Sequence, residues 1–137
     1  MALRIKHKEI DFGVGDRIKV SQKVKEGEKY RLQVFDGMVI AIKGEGENKS
    51  FTVRRIGAQQ IGIERIYPLI SPSIDKIEVV RTGTEGVKRA KLYYIRHKSK
   101  REIEKIYSRS KNQVINKNTK SPKISKKSKI NNAQKKK

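Results

Sequence analysis

Between Val87 and Arg101 the chain carries seven basic residues and no acidic one: Lys88, Arg89, Lys91, Arg96, Lys98, Lys100 and Arg101. Leu92, Tyr93, Tyr94 and Ile95 interrupt the run, and His97 lies inside it. The chemistry open to such a segment is phosphate recognition. Lys and Arg neutralise phosphates and release their counterions, which gives salt-sensitive binding without sequence readout. Arg can also grip a phosphate through two parallel hydrogen bonds. The two tyrosines have two readings, stacking on bases or packing on the folded body, and packing is the commoner fate of a Tyr beside Leu and Ile. A second basic pair, Arg54 and Arg55, sits in an alternating stretch, so the two side chains point to opposite faces. Arg54 shares its face with Thr52, and that face is expected to point outward.

The remaining reactive residue types do not assemble into a catalytic or metal-binding pattern. There is no Cys, which removes disulfides and thiolate metal sites, and the two His lie far apart at positions 7 and 97. His97 stands between Arg96 and Lys98, where a bound cation would be repelled. Gly44 and Gly46 form a fragment of a glycine-rich loop, but Glu45 and Glu47 would repel phosphate, so a hairpin turn is the better reading. Asp11 and Asp16 flank two glycines and read as solvated turn acids rather than a catalytic pair. Asn48-Lys49-Ser50 matches a glycosylation acceptor, but no apolar leader points to export. The expectation is a non-enzyme without metal, cofactor or small-molecule substrate. No apolar run approaches the roughly 20 residues of a membrane-spanning helix, so no membrane partner is expected.

Charge divides the 137 residues unevenly. Residues 87–137 hold 19 Lys/Arg against 2 Asp/Glu, and residues 1–86 hold 16 against 12, within a total of +21. A soluble surface normally mixes both signs, so this segregation points to a polyanionic partner. Residues 109–137 contain eleven basic residues, no acid and no aromatic. That composition buries too little apolar area to offset ordering entropy, and a disordered Lys-rich tail is expected there.

The body that must present these cations reads as short strands. Ile18 and Val20 alternate. Arg31–Phe35 alternates and stops at Asp36-Gly37, a turn signal. Met38–Ile42 is an apolar run suited to a strand buried on both faces. Phe51–Ile56, Ile61–Tyr67 and Ile74–Arg81 follow, with Pro68 and Pro72 bracketing a loop. Short Val- and Ile-rich strands at this size favour a small β-barrel over a sandwich. A helix is expected from a capping box at Ser99 and Glu102, with Ile103, Ile106 and Tyr107 on its apolar stripe, ending near Ser108. The expected organisation is an N-terminal extension at 1–12, a β-barrel at 13–86, a basic arm with a short helix at 87–108, and the tail at 109–137.

Seven stretches in order resemble the bacterial-type family of large-subunit ribosomal protein nineteen. They are GDRIKV at 15–20, FDGMVIA at 35–41, SFTVRRI at 50–56, IERIYPL at 63–69, Ser71-Pro72, IEVVR at 77–81 and RAKLYYIR at 89–96. The resemblance implies an SH3-like β-barrel that binds ribosomal RNA of the large subunit near the subunit interface. Neighbouring ribosomal proteins and small-subunit RNA across the interface would be its partners, on cytoplasmic ribosomes, with an organellar ribosome as the alternative. Carried over by position, Arg54 and Arg55 match the family's basic pair, and Lys91, Tyr93, Tyr94 and Arg96 match its tyrosine-bearing basic segment. Lys88, Arg89, His97, Lys98, Lys100 and Arg101 complete the expected RNA-facing set. The chain departs from the family before the Gly-Asp turn, where Ile5, His7 and Ile10 have poor spacing for the family's N-terminal helix. Ile70 replaces a His common in the family, and residues 98–107 lack its usual Gly-Lys-Ala-Ala-Arg pattern.

Two other functions fit the composition. A free nucleic-acid chaperone would act through the Lys-rich tail alone. An adaptor barrel for proline-rich peptides would need an aromatic-lined groove, and here three Phe and five Tyr are scattered and Trp is absent.

Overall fold

A computed structural model describes residues 3–119. The chain runs β1 (Arg4–His7), β2 (Ile10–Gly13), β3 (Arg17–Glu26), β4 (Lys29–Lys43), β5 (Ser50–Ile56), β6 (Gly62–Pro68), β7 (Ile74–Arg81) and helix α1 (Lys100–Thr119). One-turn 3-10 segments interrupt the connections, including Thr84–Gly86 and Tyr93–His97 between β7 and α1. β1 and β2 form a hairpin, in line with the poor helical spacing of Ile5, His7 and Ile10. The other five strands make one antiparallel sheet in the order β6-β5-β4-β3-β7.

The mainly-β expectation holds, with a C-terminal helix as expected. The closed barrel does not follow from the strand pairing. β6 and β7 are the edges of the sheet, and no ladder joins them among the described residues. Side chains seal the core instead. Phe12 from the N-terminal hairpin meets Phe51 edge-on at 5.2 Å, Phe51 stacks on Tyr67 at 5.5 Å, and Tyr67 tilts against Phe35 at 6.4 Å. Such aromatic pairs add about 0.5–1.5 kcal/mol each beyond the area they bury.

The register follows the alternation of the sequence. Ile18 and Val20 on β3 pair with Gly37 and Phe35 on β4 and with Val79 and Ile77 on β7, so one face of the sheet is continuously apolar. Met38–Ile42 is buried throughout, as a strand covered on both faces requires. Asp36-Gly37 is not a turn. It lies inside β4, paired with Lys19 and Ile18, and the chain reverses instead at Gly27-Glu28, where Gly27 takes φ +64°. Gly37 marks a close approach of neighbouring backbone: a Cβ there would stand 2.6 Å from the Arg54 carbonyl oxygen. Asp36 accepts a two-pronged hydrogen bond from Arg17 at 3.0 and 2.7 Å.

Asp16 also departs from its expected role as a solvated turn acid. It is buried and accepts four hydrogen bonds, from the backbone N–H groups of Gly13, Gly83 and Thr84 and from the Thr84 hydroxyl, at 2.6–2.9 Å. The carboxylate joins the β2–β3 turn to the loop after β7. Helix α1 docks on that same loop. Ile106, Tyr107 and Ser110 are buried, and a Cβ on Gly86 would overlap the Ile106 carbonyl oxygen. The Arg81 guanidinium lies 4.2 Å over the Tyr107 ring, and burial pushes the Tyr107 phenol up to about 12.

The helix begins as expected. The Ser99 N–H donates to the Glu102 carboxylate at 3.1 Å, the side-chain half of a capping box. The helix continues past Ser108 to Thr119. The rest of the expected tail, residues 120–137, lies outside the described residues.

Candidate nucleic-acid interface

The segment between β7 and α1 is tied to the sheet by its apolar residues and offers its cations to solvent. The Leu92 N–H donates to the Ile40 carbonyl at 2.8 Å, and Leu92 and Ile95 are buried. Lys88, Arg89, Lys91, Arg96, His97, Lys98, Lys100 and Arg101 are exposed, while Tyr93 and Tyr94 are half-buried. The 3-10 turn at Tyr93–His97 is what separates these roles, because it turns Ile95 inward and Arg96 outward.

Not every exposed cation is unengaged. Arg96 grips Glu64 through two hydrogen bonds of 2.8 Å, and Glu64 also accepts from Arg54 at 2.9 Å. These partners hold the Glu64 carboxyl below the usual range, the Arg96 hydrogen bond most of all, against the opposing effect of burial. Lys98 pairs with Glu102 one turn on, at 3.2 Å. Lys88, Lys91 and Lys100 form no ion pair with a described acid among the pairs identified.

The tyrosines are largely occupied by cations. Lys43 lies 5.9 Å and Arg96 4.9 Å from the Tyr93 ring centre, and Arg89 lies 5.5 Å from that of Tyr94. Contacts of this kind are worth roughly 0.5–1 kcal/mol at exposed sites.

The basic pair on β5 is arranged opposite to expectation. Thr52 is buried and the Arg54 side chain is only 14% exposed, because Glu64 lies beside it and Ile95 lines the same hollow. The Thr52/Arg54 face is therefore covered, and Arg55 is the exposed member, lying 5.2 Å over Phe35. Arg54 presses against Gly62 on β6 so closely that a Cβ there would overlap its guanidinium. Gly62→Ala should displace the guanidinium and cost about 1 kcal/mol through the loosened Glu64 contact. A urea midpoint unchanged from the parent would show that the guanidinium shifts without loss.

The expected residues gather in two places. Lys88, Arg89, Tyr94 and Lys98 line a cleft of about 310 Å3 together with Arg109 of α1. Arg54, Arg55 and Lys100 line a broader hollow of about 480 Å3 between the sheet and α1, with Arg17, Asp36, Arg81 and Glu104 among its other walls. Lys91, Tyr93, Arg96, His97 and Arg101 line neither hollow. Sequence reading missed Arg109 because it placed the helix end before it. Val114, continuing the helical spacing of Ile103, Tyr107 and Ser110, was the available sequence signal for a longer helix.

Among the described residues no group of three or more His, Cys, Asp or Glu could hold a metal ion, and no helix is long and apolar enough to cross a membrane. The family model for ribosomal protein L19 matches residues 2–109. The large ribosomal subunit protein bL19 of Thermosipho melanesiensis is 58% identical over 87 residues, covering 64% of this chain and 74% of the relative. Those of Kosmotoga olearia and a Sulfurovum species are 53% and 50% identical over 87 and 86 residues, covering 64% and 63% of this chain and 74% and 71% of the relatives. The match takes in the hairpin, the whole sheet, the basic segment and the docked half of α1, and the chain belongs to the ribosomal protein L19 family.

Proposed function

We propose that this protein is a structural constituent of the large ribosomal subunit that binds ribosomal RNA through its exposed basic segment and α1. Membership in the L19 family supports the structural ribosomal role, on ribosomes of the bacterial type. The observation that carries the RNA reading is the acid-free run from Val87 to Arg101, anchored by Leu92 and Ile95 so that its cations face solvent together. A fixed array of cations meets folded RNA without first losing the entropy of ordering, which a floppy polycation must lose. The body supplies rigidity, and the cations supply phosphate neutralisation. A position near the subunit interface, beside other ribosomal proteins and within reach of small-subunit RNA, completes the proposal. In a bacterium the protein would act on cytoplasmic ribosomes.

The test is a salt titration of binding to large-subunit ribosomal RNA. Replacing Lys88, Arg89 and Lys91 with Ala should weaken binding and flatten the dependence of log K on log salt by roughly one unit per lost phosphate contact. An unchanged slope would show that these side chains do not touch phosphate. The same variant should enter large subunits less well in sucrose gradients; wild-type protein found solely in free fractions would defeat the ribosomal role itself.

A further inference from the structure

The cleft formed by Lys88, Arg89, Tyr94, Lys98 and Arg109 has no acid in its wall. It takes its cations from three parts of the chain: the stretch after β7, the 3-10 turn with the residue following it, and the third turn of α1. Arg109 is not simply a solvated helix cation. Its Nε–H donates to the Lys105 carbonyl at 3.3 Å, which leaves the other guanidinium nitrogens to the cleft. Glu102, outside the cleft wall, is engaged by Lys98 and by the Ser99 N–H at the start of the helix. The neighbouring hollow between sheet and helix contrasts with this, since Asp36 and Glu104 line it and offset its cations.

Resting on the RNA-binding reading above, we infer that this cleft is a seat for a backbone phosphate of RNA and that it does not read the base. Lys88, Arg89 and Arg109, with Lys98 shared between the cleft and Glu102, suit a phosphate with its sugar in about 310 Å3. The aromatic surface needed for base stacking is already engaged: Arg89 lies over Tyr94, and Tyr93 has Lys43 and Arg96 against it. A base approaching those ring faces would compete with Arg89 at Tyr94 and with Lys43 and Arg96 at Tyr93. The tyrosines therefore serve as platforms that hold guanidinium groups in place, and the site selects for charge and spacing. Because Arg109 comes from α1, the seat is complete only when the helix is docked, which couples the fold of the C-terminal helix to RNA affinity.

The experiment uses the full chain and a short single-stranded oligoribonucleotide of mixed sequence, with an abasic oligomer of equal length as the second probe. On titration, the side-chain N–H signals of Arg89 and Arg109 should shift in the nuclear magnetic resonance spectrum with both probes. The two affinities should agree within about twofold, since base stacking would be worth roughly 1–3 kcal/mol per base. Lys88→Gln and Arg109→Gln should each flatten the single-strand salt slope by about 0.7, and Lys111→Gln, outside the cleft, should alter the slope without moving the Arg89 signal. Abasic binding weakened tenfold or more would overturn the phosphate-only reading. Arg89 and Arg109 signals that stay still would overturn the site. Inorganic tripolyphosphate that shifts them at lower concentration than the oligomer would assign the cleft to free polyphosphates and overturn the RNA reading of it. Wild-type protein that ignores ribosomal RNA altogether would defeat the proposed function; wild-type binding with Arg109→Gln indistinguishable from the parent would defeat the cleft alone.

Discussion

Asp16→Ala should destabilise the fold by about 3–5 kcal/mol, a large part of what a domain of this size possesses. The substitution removes one acceptor group and strands three buried backbone donors, the N–H groups of Gly13, Gly83 and Thr84, together with the Thr84 hydroxyl. A buried donor left without a partner costs about 1–3 kcal/mol, and the room opened by losing a carboxylate is too small to let water reach all of them. The loss also spreads, because residues 83–86 are the surface on which α1 rests. Asp16→Asn should cost less, since its amide keeps one acceptor oxygen, but its NH2 group would face backbone donors and one arm of the network would become repulsive. Urea denaturation followed by circular dichroism measures both. If Asp16→Ala lies within 1 kcal/mol of the parent, the carboxylate is not the joint between the turn and the loop.

The sequence made the strands legible wherever local alternation and burial agree. β7 runs over the expected residues Ile74–Arg81, and Met38–Ile42 is buried on both faces because five consecutive apolar residues leave no polar face to solvate. It misled where a local signal met a long-range contact. Asp-Gly commonly turns a chain, yet at positions 36–37 Asp36 is held by Arg17 and Gly37 is needed where β5 passes close by. Asp16 looked like a turn acid because its partners Gly83 and Thr84 stand 67 and 68 residues away, beyond any local pattern. The helix outran its expected end for a related reason. The described residues after Ser108 are mostly polar, with Val114 and Ile115 the exceptions, but once the docked turns around Ile106 are formed, adding further residues needs no new nucleus. The basic run that defines the interface was legible from charge alone. Which of its members are engaged was not, because that depends on where Glu64 of β6 and Glu102 of α1 come to lie.

Glu64 governs the second large effect. Glu64→Ala should cost about 2 kcal/mol of stability while steepening the salt dependence of RNA binding, a combination that simple unfolding would not give. Stability falls because Arg54, largely covered and with its Nε already lacking a partner, would keep its charge without its counter-ion. Binding gains because Arg96, 44% exposed along its side chain, is released from a two-pronged grip and becomes available to phosphate, adding roughly one contact to the slope. The effect depends on pH in a defined direction. The Glu64 carboxyl titrates below its ordinary value of 4.5, with the Arg96 hydrogen bond as the largest cause. Its contribution is therefore fully present above that value and disappears as the pH falls through the lower folded-state value. The gap in urea midpoint between parent and Glu64→Gln should be widest near neutrality and narrow as the pH falls below the ordinary carboxylate value of 4.5. A gap that persists in acid would mean that the glutamate matters for its packing and not for its charge. A salt slope no steeper in Glu64→Ala would mean that Arg96 stays away from RNA even when released. Stability and RNA affinity thus draw on two arginines held by one acid: Glu64 keeps the covered Arg54 paired within the fold and the exposed Arg96 away from the RNA.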